Sequence, residues 1–133
     1  MDKVLPTGAV LSITPLAYKD AWHVAQAILK ELERLKIDLG SIDLEQLAKV
    51  DAKDMPKIFL ALKDPICGLL SSQKIVENVD KCFEKCTYNN ARVKSDTFEA
   101  REARKDYLYA SFYALWENVS PFFEGLSSSL QTS

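Results

Sequence analysis

Residues 72–86, with the sequence SQKIVENVDKCFEKC, carry the most regular hydrophobic pattern in the chain. Apolar side chains recur there at spacings that match the 3.6-residue period of a helix and not the two-residue period of a strand. They are Ile75, Val76, Val79, Cys82, Phe83 and Cys86. Ser72 stands where a helix N-cap is expected. The stretch therefore predicts an amphipathic helix with one face packed against a core.

Further helices are predicted toward the N-terminus of this segment. Thr14-Pro15 predicts the start of a helix over residues 15–36, because Thr is a good N-cap and Pro fits the first helical position. Its apolar face consists of Ala21, Ala25, Ile28, Leu29, Leu32 and Leu35. Shorter apolar stripes predict helices over residues 43–50 and from Asp54 onward, and Asp64-Pro65 predicts one more helix start.

The C-terminal third predicts a turn followed by a long helix. Thr87-Tyr88-Asn89-Asn90 is typical of a turn, since Asn tolerates left-handed backbone better than most residues. Asp96 and Glu99 form a variant of the capping box, which predicts that the long helix begins near Asp96. Ser120-Pro121 is expected to break or kink this helix, because proline clashes with the preceding turn.

Together these patterns predict one all-α domain over residues 1–133, a compact bundle of about five to six helices. Residues 1–14 are expected to form a short extended arm or strand, and residues 127–133 a frayed polar tail. The 133-residue chain has the usual size of one domain, and it contains only four Gly and five Pro. That scarcity disfavours a turn-rich β-sandwich or barrel.

Composition and charge disfavour several function classes. The net charge is −2, from 17 basic and 19 acidic residues spread along the chain, so no basic block is present to bind nucleic acid. The glycines are scattered, which disfavours a Gly-rich phosphate loop. The N-terminus lacks a signal-peptide pattern, and no apolar stretch approaches the roughly 20 residues of a membrane span, so we expect a cytoplasmic protein.

Candidate catalytic or metal-ligating residues are few. Cys82 and Cys86 could begin a zinc site, but a closed site needs about four N or S ligands, and Cys67 and His23 bring no second pair. We interpret the two helical cysteines as buried free thiols, as expected in a reducing compartment. A Cys–His catalytic pair has no orienting Asn or Asp partner here. We therefore predict no catalytic residues, no metal, no cofactor and no enzyme activity.

Aromatic residues are concentrated near the C-terminus. Seven of the thirteen aromatic residues lie between Tyr107 and Phe123, and they cover more than the stripe of about 100° that one helix buries against its own core. Aromatics outside that stripe are typical anchors of protein interfaces. A helix buried on all sides would account for the same pattern. The candidate residues for partner binding or self-assembly are Tyr109, Tyr113, Trp116, Phe122 and Phe123.

Short motifs follow one another in a distinctive order along the chain. In the C-terminal half they are Leu70-Ser71-Ser72, Cys86-Thr87-Tyr88-Asn89, Asp96-Thr97-Phe98-Glu99, Arg104-x-Asp106-Tyr107 and Asn118-Val119-Ser120-Pro121-Phe122-Phe123. The N-terminal stretch reads Leu11-x-Ile13-Thr14-x-Leu16-Ala17-Tyr18-x-Asp20-Ala21. This ordered set resembles the tail assembly chaperones of long-tailed bacteriophages. The resemblance covers most of the chain and is weakest between residues 37 and 55.

The resemblance implies a small helical protein of the host cytoplasm that is absent from the mature virion. Such proteins bind the tape measure protein, a long apolar helical chain, and keep it soluble while tail tube subunits assemble around it. The family tends to form homo-oligomers. The major tail tube protein and a longer, frameshifted form of the same protein are further expected partners. The family has no catalytic residues to carry over.

Other classes of protein stay open at this point. A structural virion component, such as a tail-completion or connector subunit, would be found in purified particles. A helix-turn-helix regulator would need a basic recognition helix, and no predicted helix is markedly basic. An enzyme would have to use the lone histidine or scattered carboxylates, so this class is disfavoured.

Overall fold

The fold combines four helices with a four-stranded antiparallel sheet in the part of the chain that is described. The structure, a computed structural model, describes the backbone of residues 1–36, 57, 60 and 63–132 and the side chains of these except 63–66 and 124–132. The predicted helix over residues 43–50, and most of the one from Asp54, lie outside the described residues.

The strands come as two pairs, and three helices of the described part of the chain lie between these pairs in sequence. Strands β1 (Asp2–Val4) and β2 (Val10–Ile13) are followed by helices α1 (Tyr18–Arg34), α2 (Lys63–Leu70) and α3 (Gln73–Phe83). Strands β3 (Cys86–Tyr88) and β4 (Ala91–Arg92) then precede the long helix α4 (Arg101–Thr132). The strand order is β1-β2-β3-β4, so the sheet joins an N-terminal hairpin to a second hairpin that follows α3.

The prediction of an all-α bundle is wrong, because the arm and the turn of the sequence prediction pair with each other as strands. Ile13 lies opposite Cys86, and Leu11 lies opposite Tyr88. Asn89 and Asn90 have φ values of +50° and +67°, the left-handed backbone that a two-residue hairpin turn of type I′ requires. The turn predicted from these asparagines is confirmed, but it joins two strands instead of two helices.

The N-terminal arm is itself a hairpin with a tight loop at Pro6-Thr7-Gly8. The Gly8 N–H donates to the Leu5 carbonyl at 2.9 Å, and the Leu5 N–H donates to the Ala9 carbonyl at 2.8 Å. Gly8 has a φ of +88°, which a residue without a Cβ adopts readily. This geometry corresponds to the three-residue hairpin loop that ends in a left-handed glycine.

The core lies between one face of the sheet and the helices. The predicted apolar face of α3 is confirmed as buried at Ile75, Val79, Cys82 and Phe83. The predicted face of α1 is confirmed at Ala21, Ala25, Ile28 and Leu32. Helix α4 contacts α1, α3 and β2. It therefore runs through the centre of the described structure and is buried on most of its sides.

Both long helices begin later than the sequence predicts. Helix α1 begins at Tyr18 and not at Thr14-Pro15, because the Leu16 N–H donates to Oδ1 of Asn118 at 2.7 Å and holds the preceding segment outside the helix. Helix α4 begins at Arg101. The predicted cap at Asp96 instead closes a turn, in which the Glu99 N–H donates to the Asp96 carbonyl at 3.1 Å.

The break predicted at Ser120-Pro121 as one alternative is wrong, since α4 continues through Pro121 to Thr132, while the alternative of a kink stays a prediction. Phe123, beyond the proline, is buried in the core, so packing holds the helix together across the missing hydrogen bond.

Residues 127–132, predicted as a frayed tail, have helical backbone. Two smaller boundaries also differ: Cys86 lies in β3 and not on α3, and α2 already includes Lys63 ahead of the predicted start at Asp64.

Candidate functional site

The five aromatic residues predicted to contact a partner occupy two environments on α4. Tyr113 and Phe123 are each only 4% exposed and belong to the core. Tyr109, Trp116 and Phe122 are half-buried and pack against that core. This placement agrees with a helix buried on most sides. The role of these residues in partner binding or self-assembly stays a prediction.

Neighbouring rings on α4 are packed against one another. The rings of Phe112 and Trp116, one helical turn apart, stack with centroids 6.1 Å apart and planes 7° from parallel. Phe112 also meets Tyr113 edge to face at 6.0 Å. Lys3 of β1 lies over the Tyr113 ring at 5.5 Å and pairs with Glu117 at 3.7 Å. Tyr113 therefore helps attach the N-terminal hairpin to α4.

Two aromatic side chains of α1 lie on the surface, and neither is among the residues predicted to contact a partner. Tyr18 is 73% exposed and Trp22 is 39% exposed. They are four residues apart, which places them on one face of the helix. The Trp22 ring lies 5.3 Å from the ring of Phe122 on α4. Tyr18, Trp22 and Phe122 are called the α1 aromatic patch below. The sequence contained a signal for this patch, because Tyr18 and Trp22 are large aromatic residues that lie outside the predicted apolar face of α1.

A half-open groove of about 610 Å³ lies between α3, the segment before α4, and α4 itself. It is called the α3–α4 groove. Its lining residues are Val76, Asp80, Phe83, Glu84, Val93, Lys94, Ser95, Phe98, Glu99 and Tyr107. The ring of Phe98 lies 5.5 Å from that of Phe83 and 5.4 Å from that of Tyr107. These three rings form an aromatic wall, and residues far apart in sequence build it.

Acidic side chains predominate among the charged residues of the groove. Glu99 pairs with Arg104 at 3.3 Å. Asp80 and Glu84 have no salt bridge to any residue that the structure describes. Burial raises the pKa of Asp80 above its usual 3.8, and the nearby Glu77 and Glu84 carboxylates raise it further. Three of the four charged residues that line the groove are therefore acidic, and Lys94 is the fourth.

A buried carboxylate links both hairpins to α4. Asp106 is fully buried and accepts a hydrogen bond from the Thr7 N–H at 3.1 Å and another from the Thr7 hydroxyl. The Tyr88 hydroxyl donates to the same carboxylate at 2.7 Å. Burial raises the pKa of Tyr88, and the hydrogen bond to Asp106 raises it further, so this hydroxyl remains a donor at neutral pH. We assign the cluster a structural role.

Two of the three cysteines have the properties of structural thiols. Cys82 and Cys86 are buried, as predicted, and Cys67 is exposed. Burial raises the pKa of Cys82 to about 12 and that of Cys86 to about 11. Such thiols are almost entirely protonated at neutral pH and react slowly. Across the described ranges, no group of three or more His, Cys, Asp or Glu residues could hold a metal ion.

Comparisons with known proteins do not place this chain in a group. No family model, curated protein or solved structure matches it significantly. In the part of the chain that is described, no helix is long and apolar enough to cross a membrane. A functional assignment therefore depends on the ordered motifs of the sequence and on the two surfaces described above.

Proposed function

We propose that this protein is a phage tail assembly chaperone, which binds a tape measure protein, keeps it soluble and assists assembly of the tail tube around it. The ordered motifs of the sequence support this proposal. The observation that carries it is the exposure of Tyr18 and Trp22 beside Phe122 in the α1 aromatic patch. Large aromatic side chains that are exposed on neighbouring elements are typical anchors of a site for a partner.

The α1 aromatic patch is suited to an apolar helix. Such a helix presents side chains at spacings of three and four residues, and it docks on apolar surfaces formed between neighbouring helices. Trp and Tyr offer large contact areas and lose little conformational freedom on binding. The pair on α1, together with Phe122 on α4, supplies that kind of surface from two adjacent helices. Tyr109 and Trp116 remain predicted contacts for partner binding or self-association.

The proposal includes a setting and partners. The protein would act in the host cytoplasm, would be absent from the mature virion, and would form homo-oligomers during assembly. The tail tube protein and a frameshifted longer form of this chain would be further partners. Each of these points follows from the resemblance, and each is open to direct test in infected cells.

Co-expression with the tape measure protein of the same phage tests the proposal. We expect the tape measure protein to stay in the supernatant with the unaltered chain and to sediment when Trp22→Ala or Tyr18→Ala replaces it. Leu108→Ala is the matched control, because Leu108 is also an exposed apolar side chain, 42% exposed, but belongs to α4 outside the patch.

Two outcomes would contradict this assignment. If the unaltered chain does not solubilise the tape measure protein, the chaperone function is wrong. If all three variants solubilise it equally well, the function could hold but the α1 aromatic patch is not the binding surface. Recovery of the protein in stoichiometric amount from purified particles would favour a structural tail subunit instead.

A further inference from the structure

The α3–α4 groove is a second surface, built from elements that do not include α1. We infer that it binds a peptide segment of a partner protein by taking up one lysine or arginine side chain, whose aliphatic part packs on Phe98 and Tyr107 while its charged group meets Asp80 and Glu84. This inference does not depend on the proposed chaperone function, since it rests on the shape and charge of the groove alone.

The aromatic wall accounts for the aliphatic part of such a side chain. Phe98 and Tyr107 are half-buried and present rings whose centroids are 5.4 Å apart, and the buried ring of Phe83 packs against both, at 5.5 Å and 6.4 Å. Lysine and arginine bury their methylene groups against apolar surface while the charged end stays near polar groups. The faces of aromatic rings also attract cations, most often the guanidinium group of arginine. The aromatic wall can therefore contact both the aliphatic part and the charged group of a basic side chain, and both contacts favour binding.

The charge of the groove decides among possible occupants. Asp80 and Glu84 line it without a salt-bridge partner among the described residues, and Glu77 adds a third carboxylate near Asp80. An anionic ligand would be repelled, and a wholly apolar one would remove water from these carboxylates without compensation. Burial is the main reason that the pKa of Asp80 is raised, and a cationic group would relieve the smaller contribution from repulsion by Glu77 and Glu84. Lys94 is the one basic side chain among the described lining residues, and it lies in the segment before α4.

The shape of the groove favours a side chain that is attached to a peptide. The groove is half-open, so a bound side chain can enter it while the backbone that carries it stays outside. Val76 and Val93 also line the groove and offer apolar contacts beside the aromatic wall. An apolar neighbour of the basic residue would use those contacts, which a free small cation could not do. The expected motif is therefore a basic residue next to an aliphatic one.

A titration of the ¹⁵N-labelled full-length protein with short peptides tests this inference. The probe is the amidated, acetylated pentapeptide Gly-Leu-Arg-Leu-Gly, and its matched control carries citrulline, the neutral analogue of arginine. We expect amide shifts at residues 80, 84 and 98 with the arginine peptide, and binding roughly fivefold weaker with citrulline, the size of one partly exposed ion pair.

Protein variants then identify the groups that bind. The double variant Asp80→Asn/Glu84→Gln should weaken binding of the arginine peptide by roughly three- to tenfold. Glu33→Gln, an exposed acid on α1 outside the groove, should leave binding unchanged. The amide spectrum of each variant reports whether the fold is intact, and neither variant removes a buried side chain.

Several results would overturn the inference. Equal affinity for the arginine and citrulline peptides would show that the positive charge of the peptide does not contribute to binding. Amide shifts centred outside the groove would show that the peptide does not bind there. Equal effects of the double variant and of Glu33→Gln on peptide affinity would show that Asp80 and Glu84 do not contribute to binding. Equal affinity for N-acetylarginine amide and for the pentapeptide would show that the groove takes a small cation and not a peptide segment. Absence of binding at millimolar peptide would also overturn it.

Discussion

The Tyr88 hydroxyl donates a 2.7 Å hydrogen bond to Oδ2 of Asp106 and so connects strand β3 to helix α4. The other hairpin is connected to the same carboxylate, through the N–H and the hydroxyl of Thr7. A carboxylate that is fully buried is tolerated only when donors replace its water shell. Asp106 therefore couples the two hairpins to α4, and the sheet and the long helix should unfold together.

Tyr88→Phe tests this coupling. The change removes one donor to a buried charge, and hydrogen bonds to charged groups contribute about 1.5–3 kcal/mol. We expect the free energy of unfolding in urea to fall by that amount. Tyr107→Phe is the matched control, since its hydroxyl has no hydrogen bond to Asp106. Equal effects of the two substitutions would show that Asp106 does not depend on Tyr88.

Substitutions at Asn90 test the second hairpin. Asn90 has a φ of +67°, so Asn90→Gly should raise the free energy of unfolding by a few tenths to about 1 kcal/mol, while Asn90→Ala should lower it by about 1 kcal/mol. Asn89 is left unchanged because its Oδ1 accepts a hydrogen bond from the Val10 N–H at 2.9 Å. If a helix and not a turn were present here, Asn90→Ala would be the more stable of the two variants, because alanine has a higher helix propensity than glycine.

Asp80→Asn should stabilise the protein at neutral pH. The pKa of Asp80 is raised in the folded state, so the folded chain holds this proton more tightly than the unfolded chain does, and ionisation of Asp80 opposes folding. The stabilisation by the variant should be present at pH 7 and disappear as the pH falls below the usual 3.8. Urea unfolding at several pH values measures it, and a destabilised variant at pH 7 would contradict the assigned cause.

Thiol labelling should distinguish the three cysteines. Cys67 is exposed, whereas Cys82 and Cys86 are buried with their pKa raised to about 12 and about 11. With a chromogenic disulfide reagent at neutral pH we expect one fast thiol, which Cys67→Ser removes. The other two should react at the rate of unfolding, and fast reaction of all three would contradict their burial.

Local patterns predicted the helical faces well and the strands poorly. The stripe from Ile75 to Phe83 has a period that only a helix satisfies, and its burial is confirmed. The strand Cys86–Tyr88 is three residues long and has no such signal. It forms because residues 10–13 and 86–88 meet across the intervening helices. Short strands acquire stability from their neighbours and not from their own composition.

The sequence also predicted the candidate surfaces only in part. The concentration of aromatic residues on α4 predicted a partner-binding surface on that helix, yet Tyr113 and Phe123 are in the core. Trp22, which lies on the surface, becomes part of a patch only because α4 brings Phe122 next to it. The α3–α4 groove depends in the same way on Phe83, Phe98 and Tyr107, which come from three separate segments. No spacing in the sequence brings those rings together.

The sequence by itself determined the amphipathic faces of α1 and α3, the asparagine turn and the burial of Cys82 and Cys86. These features depend on side-chain periodicity and backbone preference, which act over a few residues. Only the tertiary structure decided that the chain contains a sheet, that α4 continues through Pro121, and that Asp106 is buried among donors. Those features depend on free energy gained from segments distant in sequence, which no local pattern records.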